Sequence, residues 1–229
     1  MKNRKDAVRI VIVDDHPIVR QGLKKVIEKE SDMLVCGEAG TANEAVSVIV
    51  RKKPDIVVAD ISLGGEASGL DLVRAIAERF PGVKSLVLSM HDESVYAERA
   101  VRAGARGYIT KNDGPSNIVY ALRSVLKGEI YLSGEMSARL ISKLFHGDRS
   151  QRPRGIVETL SNRELEIFRL IGNGFSTGEI ARRLNLSTHT IETHRKNIKD
   201  KLGISSGSEL NKQAIQWVLS SGWESRNEP

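Results

Sequence analysis

Short apolar segments alternate with amphipathic segments along the first half of the chain. The apolar segments are bounded by Gly, Asp or Pro and cover residues 8–13, 33–36, 55–59, 85–88 and 107–109. In the segments between them, apolar positions recur with the helical period, at 17–29, 42–52, 69–79, 94–103 and 116–127. Strands that alternate with helices are typical of α/β domains, so we predict a doubly wound parallel sheet of five strands.

The pattern changes in the second half, where no strand-like segment remains after Ser161 and only helices are predicted. A polar, arginine-rich segment at 146–155 contains Pro153 and is typical of a linker, and a predicted helix at 134–145 precedes it. We therefore predict three parts, which are a sheet domain at 7–128, a connecting helix and linker at 129–157, and an all-α domain at 158–222.

Three helix starts carry a capping box, in which a hydroxyl residue is followed three positions later by Glu. The hydroxyl residues are Thr41, Ser161 and Ser176. The hydroxyl and the carboxylate would each accept a hydrogen bond from a backbone amide that the helix itself leaves unpaired. These residues therefore predict where the three helices begin.

Polar and charged residues lie where the predicted strands end. They are Asp14 and Asp15 after the first strand, Asp60 after the third, Ser89 at the end of the fourth and Lys111 shortly after the fifth. Each residue alone is typical of an ordinary solvated loop. Open α/β sheets gather their ligands at the carboxyl ends of their strands, so the combination predicts side chains that converge on one site.

These residue types suit phosphoryl transfer to a carboxylate. The carboxylates of Asp14, Asp15 and Asp60 offer the oxygen ligands that Mg²⁺ prefers, and the metal would offset the charge that builds up as two anions approach. Lys111 would act as a point charge on a phosphoryl oxygen, and the Ser89 hydroxyl can donate to another. Phosphoryl transfer needs mainly positioning and charge, so we predict that Asp60 accepts a phosphoryl group.

The second half contains a helix-turn-helix pattern. An amphipathic helix at 176–184, a short turn and a helix at 188–202 have the spacing that places the second helix in the major groove of DNA. One stripe of the second helix is apolar and faces the core, and the opposite stripe consists of His189, Glu192, Thr193, Lys196 and Lys199. Between residues 182 and 201, six basic residues stand against two acidic ones, which favours a nucleic-acid partner.

Composition sets limits on the class of protein. The 229-residue chain has a formal net charge of +6 and a pI of about 9.5, which permits an anionic partner without identifying it. Cys36 is the single cysteine and lies in an apolar strand, so we interpret it as a buried thiol and exclude a disulfide within the chain. No apolar segment approaches the roughly 20 residues of a membrane span, and the amino terminus lacks a signal-peptide core, so a cytoplasmic protein is expected.

Both halves resemble known families at these residues. Residues 7–128 resemble the flavodoxin-like receiver domain of two-component response regulators, through IVIVDDHPIVRQGL, DIVVAD, SLVLSMH and GARGYITK. Residues 158–219 resemble the LuxR-type helix-turn-helix, through LSNRELEIFRLIGNGFSTGEIARRLNLSTHTIETHRKNIKDKLGI. The whole chain is similar to transcription regulators of the NarL/FixJ type.

The resemblance implies a role for each residue of the first site. Asp60 matches the phosphoacceptor aspartate, and Lys111 matches the invariant lysine of receiver domains. Ser89 and Tyr108 match a switch pair, in which the hydroxyl moves toward the phosphoryl group and the aromatic ring turns inward. The groups that would hold Mg²⁺ are the carboxylates of Asp14, Asp15 and Asp60 and the backbone carbonyl of Ser62.

In the second half, the resemblance aligns Glu192, Thr193 and Lys196 with base-reading positions. Lys196 could donate to guanine, Glu192 could accept from cytosine, and Thr193 could contact a thymine methyl group. A carboxylate beside phosphates is unfavourable unless it reads a base, which favours sequence-specific binding. The remaining residues expected to contact DNA, chiefly its phosphates, are Ser176, Thr177, Thr188, Thr190, His194, Arg195 and Lys199.

The predicted function is a phosphorylation-switched, DNA-binding transcription regulator that receives its phosphoryl group from a histidine kinase and binds DNA as a homodimer. It would assist its own phosphorylation and dephosphorylation but turn over no metabolite. An alternative is a regulator that no longer needs phosphorylation, because Leu63–Glu66 replaces the Met-Pro turn usual beside this site. An aspartate-nucleophile phosphatase is disfavoured, since Ser62 stands where its second carboxylate would be.

Overall fold

The computed structural model describes residues 7–90, 92–146 and 156–220. The chain divides into two compact units, a sheet unit followed by a helical unit. Residues 147–155, which make up most of the predicted linker, lie outside the described ranges. Within those ranges, no helix combines the length and the apolar character needed to cross a membrane.

The sheet unit alternates strands and helices in the predicted order. Its strands are β1 (Val8–Val13), β2 (Met33–Ala39), β3 (Ile56–Ala59), β4 (Lys84–Ser89) and β5 (Gly107–Thr110). Its helices are α1 (Pro17–Ile27), α2 (Ala42–Lys52), α3 (Gly69–Arg79), α4 (Glu93–Arg102), α5 (Pro115–Lys127) and α6 (Gly134–His146). The strands pair in parallel in the order β2-β1-β3-β4-β5, which confirms the predicted doubly wound sheet.

The core explains why the inner strands are continuous apolar runs. Alternate residues point to opposite faces of the sheet, and both sets are buried from Ile10 onward in β1 and throughout β3. On one face, Ile10 and Ile56 pack with Leu23 of α1 and Leu122 of α5. β2 lies at the sheet edge and continues past its predicted end at residue 36, because it pairs with β1 as far as Ala39 after a register shift.

The helix caps follow the sequence with one exception. The predicted capping boxes at Ser161 and Ser176 are both formed. Thr41 accepts from the Glu44 amide as predicted, but the Glu44 carboxylate accepts from the N–H of Gly40 instead of Thr41, so this box is only half formed. A further box not predicted from sequence pairs Ser68 with Asp71 and begins α3, where Asp replaces the expected Glu.

The segment after α5 lies against the outer side of β5. The backbone N–H of Tyr108 donates to the Tyr131 carbonyl at 2.9 Å. α6 then packs on α4, where Met136 is buried and the N–H of Ser133 donates to the Glu93 carboxylate at 2.8 Å. The predicted connecting helix is therefore packed on the sheet unit.

The helical unit contains a 3-10 helix (Ile156–Thr159), which the pattern did not predict, and α7 (Asn162–Gly172), α8 (Thr177–Leu184), α9 (Thr188–Leu202) and α10 (Gly207–Ser220). The ring of Phe168 is fully buried and lies 5.8 Å from that of Trp217. Gly172 allows α7 and α10 to approach closely, because a Cβ there would lie 2.5 Å from the Ala214 carbonyl oxygen.

Candidate functional site

The carboxyl ends of the strands bring the predicted side chains together. Asp14 and Asp60 follow β1 and β3, which pair directly at their ends, and Lys111 follows β5. The Lys111 ammonium nitrogen lies 2.7 Å from Oδ2 of Asp14 and 2.6 Å from Oδ2 of Asp60. The lysine therefore bridges two carboxylates that are 46 positions apart in the sequence and come from different strands.

Burial makes this arrangement electrostatically demanding. Asp14 is 1% exposed and Asp60 is 5% exposed. Burial raises the pKa of Asp60, with Lys111 opposing the shift and Asp14 adding to it. Burial alone would lower the pKa of Lys111, but the two carboxylates outweigh it and raise that pKa, so the lysine is held in its charged form.

An acidic cluster lies beside this pair. One ligand atom each from Asp14, Asp15 and His16 lies within 4.8 Å of the others. The N–H of His16 donates to Oδ1 of Asp14 at 2.8 Å, and the His16 ring nitrogen Nδ1 is 2.6 Å from Asp15 Oδ1. The carboxylate oxygens suit a hard divalent cation such as Mg²⁺, so the donor set fits the predicted metal. Asp60 contacts this cluster through Lys111, and Ser62 is half-buried two positions after Asp60.

The backbone around Asp60 is tightly constrained. The N–H of Ile61 donates to Asp60 Oδ1 at 2.7 Å, which orients the carboxylate. The N–H of Gly69 donates to the Ile61 carbonyl at 2.8 Å. A Cβ at Gly69 would lie 1.7 Å from the Asp60 carbonyl oxygen, so only glycine fits where α3 begins.

Ser89 and Tyr108 form a buried pair next to the site. Ser89 is 0% exposed and Tyr108 is 1% exposed, so the ring already points into the sheet unit. Burial raises the pKa of the Tyr108 hydroxyl well above its ordinary value, and a hydrogen bond with Ser89 opposes the shift. The two residues assigned to the switch by resemblance are thus in direct contact.

The predicted helix-turn-helix is present in the helical unit. α8 ends at Leu184, the left-handed conformation of the following Asn185 turns the chain, and Ser187 caps α9. Ile191 and Ile198 of α9 are fully buried, which confirms its apolar stripe. On the opposite stripe, the exposed residues are His189, Glu192, Thr193 and Lys196, and Lys199 is half-buried.

Other residues predicted to contact DNA differ in accessibility. Ser176 and Thr188 are exposed, whereas Thr190 and Arg195 are half-buried. His194 is also half-buried, and burial lowers the pKa of its ring while Glu164 opposes the shift. The Nδ1 atom of His194 is buried with no hydrogen-bond partner among the described residues, and the helical period places this residue beside the buried Ile191 and away from the exposed stripe.

Sequence reasoning missed two contacts near these groups. The Arg20 guanidinium donates to the backbone carbonyl of Asp14 at 2.7 Å and so fixes the end of β1. The Thr177 hydroxyl donates to Oε1 of Glu192 at 2.7 Å and joins α8 to α9. Arg20 lies one turn into α1, close in sequence to the acidic pair, so its contact could have been predicted from the sequence. The contact of Thr177 with Glu192 joins two different helices, and no sequence pattern indicates it.

Comparison with known proteins gives matches for both units. Residues 10–123 match the family described as response regulator receiver domain, and residues 158–214 match bacterial regulatory proteins of the luxR family. The chain is 36% identical over 215 residues to the oxygen regulatory protein NreC of Staphylococcus aureus, covering 93% of this chain and 99% of that protein.

Solved structures of RcsB are also similar. One is RcsB from Salmonella enterica serovar Typhimurium bound to promoter rprA in the presence of the phosphomimetic BeF3⁻, at 27% identity and a TM-score of 0.58, covering 90% of this chain and 97% of that one. Another contains two RcsB dimers bound to two parallel DNAs, at 27% identity and a TM-score of 0.55, with the same coverage of 90% and 97%.

Proposed function

Since the chain belongs to the response regulators that join a receiver domain to a LuxR-type DNA-binding domain, and is thus a phosphorylation-switched transcription regulator, we propose that Asp60 accepts the phosphoryl group from a histidine kinase. The observation that carries this proposal is the bridge from Lys111 to the buried carboxylates of Asp14 and Asp60. A buried ion pair at the carboxyl ends of three parallel strands, where open α/β sheets bind their ligands, is arranged for a charged ligand.

The proposed transfer uses groups of this chain at named atoms. A carboxylate oxygen of Asp60 attacks the phosphorus of a phosphohistidine, the new P–O bond forms as the P–N bond breaks, and the released imidazole takes up a proton. Lys111 moves from Asp60 Oδ2 to a phosphoryl oxygen, and Ser89 donates to another. The proposed ligands for Mg²⁺, which would offset the charge of the approaching anions, are Asp14, Asp15, Asp60 and the Ser62 carbonyl.

We propose that Ser89 and Tyr108 transmit the conformational change from the phosphorylation site to the rest of the receiver. A shift of the Ser89 hydroxyl toward a phosphoryl oxygen would break its hydrogen bond with Tyr108. The backbone N–H of Tyr108 donates a hydrogen bond to the carbonyl of Tyr131. The N–H of Ser133, just before α6, donates to the carboxylate of Glu93 in the first turn of α4. A rearrangement at β5 and α4 would therefore reach the helix that leads out of the receiver.

DNA binding is proposed for α9, with its exposed stripe in the major groove. The RcsB structures, one bound to promoter DNA and one with two dimers bound to DNA, support DNA binding and a homodimer. α10 supplies apolar surface for the dimer contact, since Ile215 is 43% exposed and Leu219 is 48% exposed. Two-fold symmetry would place half-sites about one helical turn apart. Because chromosomal DNA is the partner, the proposed location is the cytoplasm.

Two lysines of α9 test this placement. Lys196→Ala should weaken binding mainly to the preferred operator, by roughly 1 to 3 kcal/mol, because it removes a base contact. Lys199→Ala, on the half-buried flank, should weaken operator and scrambled duplex alike and reduce the salt dependence by about one unit of slope. Competition binding at several salt concentrations, on an operator selected from randomised duplexes, separates the two outcomes. Equal losses on both duplexes for Lys196→Ala would contradict base reading.

A further inference from the structure

Thr177 and Glu192 join the two helices of the helix-turn-helix. Thr177 is the first residue of α8, and its hydroxyl donates a 2.7 Å hydrogen bond to Oε1 of Glu192 on α9. The Glu192 side chain nevertheless remains 60% exposed. Its carboxylate therefore keeps an open side on the stripe of α9 that is proposed to face DNA.

This hydrogen bond restrains a side chain that would otherwise sample several rotamers. An exposed Glu loses that freedom when it is ordered at an interface, which weakens the interaction it makes there. The Arg195 Nε atom lies 3.7 Å from the same Oε1 atom, which is beyond hydrogen-bond distance, and the carboxylate that it faces is largely exposed to solvent, so this ion pair orients Glu192 less than the hydrogen bond does. The Thr177 hydroxyl is thus the main restraint on Glu192, through a charge-assisted bond to the carboxylate.

The contacts of Thr177 and Arg195 both involve Oε1, which leaves Oε2 to accept another hydrogen bond. Cytosine presents its N4 amino group as a donor in the major groove. We propose that Thr177 is a positioning residue that orients Glu192 to read a cytosine. This proposal rests on the proposed placement of α9 in the major groove. The Thr177 hydroxyl fixes Oε1, and Oε2 accepts from the N4 amino group of the base.

If the hydrogen bond between Thr177 and Glu192 served only to hold α8 against α9, its loss would have a different effect. Loss of a structural tie would lower the melting temperature and weaken binding to every duplex in the same proportion. Loss of a positioning contact lowers discrimination at one base pair, because the Glu192 carboxylate then loses its fixed orientation. Discrimination at a single base pair is therefore the decisive readout.

The test uses the full-length protein and an operator selected from randomised duplexes. Each C·G pair is replaced in turn, and affinities are measured by competition for the wild type and for Glu192→Ala, which identifies the pair whose discrimination depends on Glu192. At that pair, Thr177→Val should reduce discrimination by about three- to tenfold, the size expected for ordering one side chain. Thr177→Ser retains the hydroxyl and should retain discrimination.

A double-mutant cycle completes the experiment. In the Glu192→Ala background, Thr177→Val should not change discrimination further, because the group it positions is gone. Unchanged discrimination in Thr177→Val, or an equal loss for all duplexes, would overturn the proposal, as would selection of an operator in which no C·G pair depends on Glu192. If the wild type selects no sequence at all, the failure lies with the proposed DNA-binding function instead.

Discussion

Phosphoryl incorporation from a small acyl phosphate is expected to fall to zero when Asp60 is replaced by Asn. The amide removes the attacking carboxylate oxygen, and Lys111 cannot restore a nucleophile at that position. The fold should be retained, because Asn has nearly the same volume, and because burial already opposes the charged form of Asp60, as its raised pKa shows. Intact-protein mass measured after incubation with the donor and Mg²⁺ reports the modification directly.

Two controls define this experiment. Glu78→Gln removes an exposed carboxylate of α3 and should leave incorporation at the wild-type level. Omitting divalent cations should prevent modification of the wild type, because the proposed carboxylate ligands and the phosphoryl group carry more negative charge than Lys111 alone offsets. A phosphoryl group retained by Asp60→Asn, or incorporated without a divalent cation, would refute the assignment of the site.

Lys111→Met is expected to destabilise the receiver by about 3 kcal/mol at neutral pH, because removing one partner of a buried ion pair leaves the other uncompensated. Burial raises the pKa of Asp60 even with Lys111 present. Without Lys111 this pKa should rise further. A raised folded-state pKa gives stability that is present at low pH and is lost as the pH rises through that pKa. The loss of stability in Lys111→Met should therefore be small at acidic pH and should grow toward neutral pH.

Urea unfolding at several pH values measures this deficit. Lys25→Met removes an exposed lysine of α1 and should change stability by less than about 0.5 kcal/mol at each pH. Added Mg²⁺ should restore part of the stability of Lys111→Met, since a divalent cation replaces the lost positive charge beside the carboxylates. A deficit that does not vary with pH would show that Lys111 contributes packing, and its ion pair would then have no part in stability.

Much of the sheet unit could be predicted because its local signals agree with its tertiary packing. α2 and α3 occupy the predicted ranges, Ala42–Lys52 and Gly69–Arg79, because their apolar periodicity agrees with their packing, and at α2 the predicted cap Thr41 marks the same boundary. The convergence of Asp14, Asp60 and Lys111 followed from their positions after predicted parallel strands, since parallel strands place their carboxyl ends at the same end of the sheet. The same agreement explains why α8 and α9 were predicted within a residue.

The remaining features depend on contacts that a linear pattern does not contain. β2 continues through Gly37 and Glu38 because the backbone of β1 offers hydrogen-bond partners, although neither residue is apolar. The pairing of Tyr131 with β5 involves a segment too short for a periodic signal. His194 was expected to contact DNA from the family resemblance, but it lies beside the buried Ile191, and the burial of its ring comes from elements packed against α9.

The switch itself is tested by the affinity of the full-length protein for one selected operator at one salt concentration, with and without the acyl phosphate and Mg²⁺. Mass measurement of each sample establishes the modified fraction, and Asp60→Asn is treated in parallel. Modification of the wild type should lower Kd by roughly 5- to 150-fold, the usual range of coupling between two sites, while Kd of Asp60→Asn stays unchanged. Equal operator affinity of the phosphorylated and unphosphorylated wild type would contradict the proposed switch and favour a regulator that binds DNA independently of phosphorylation.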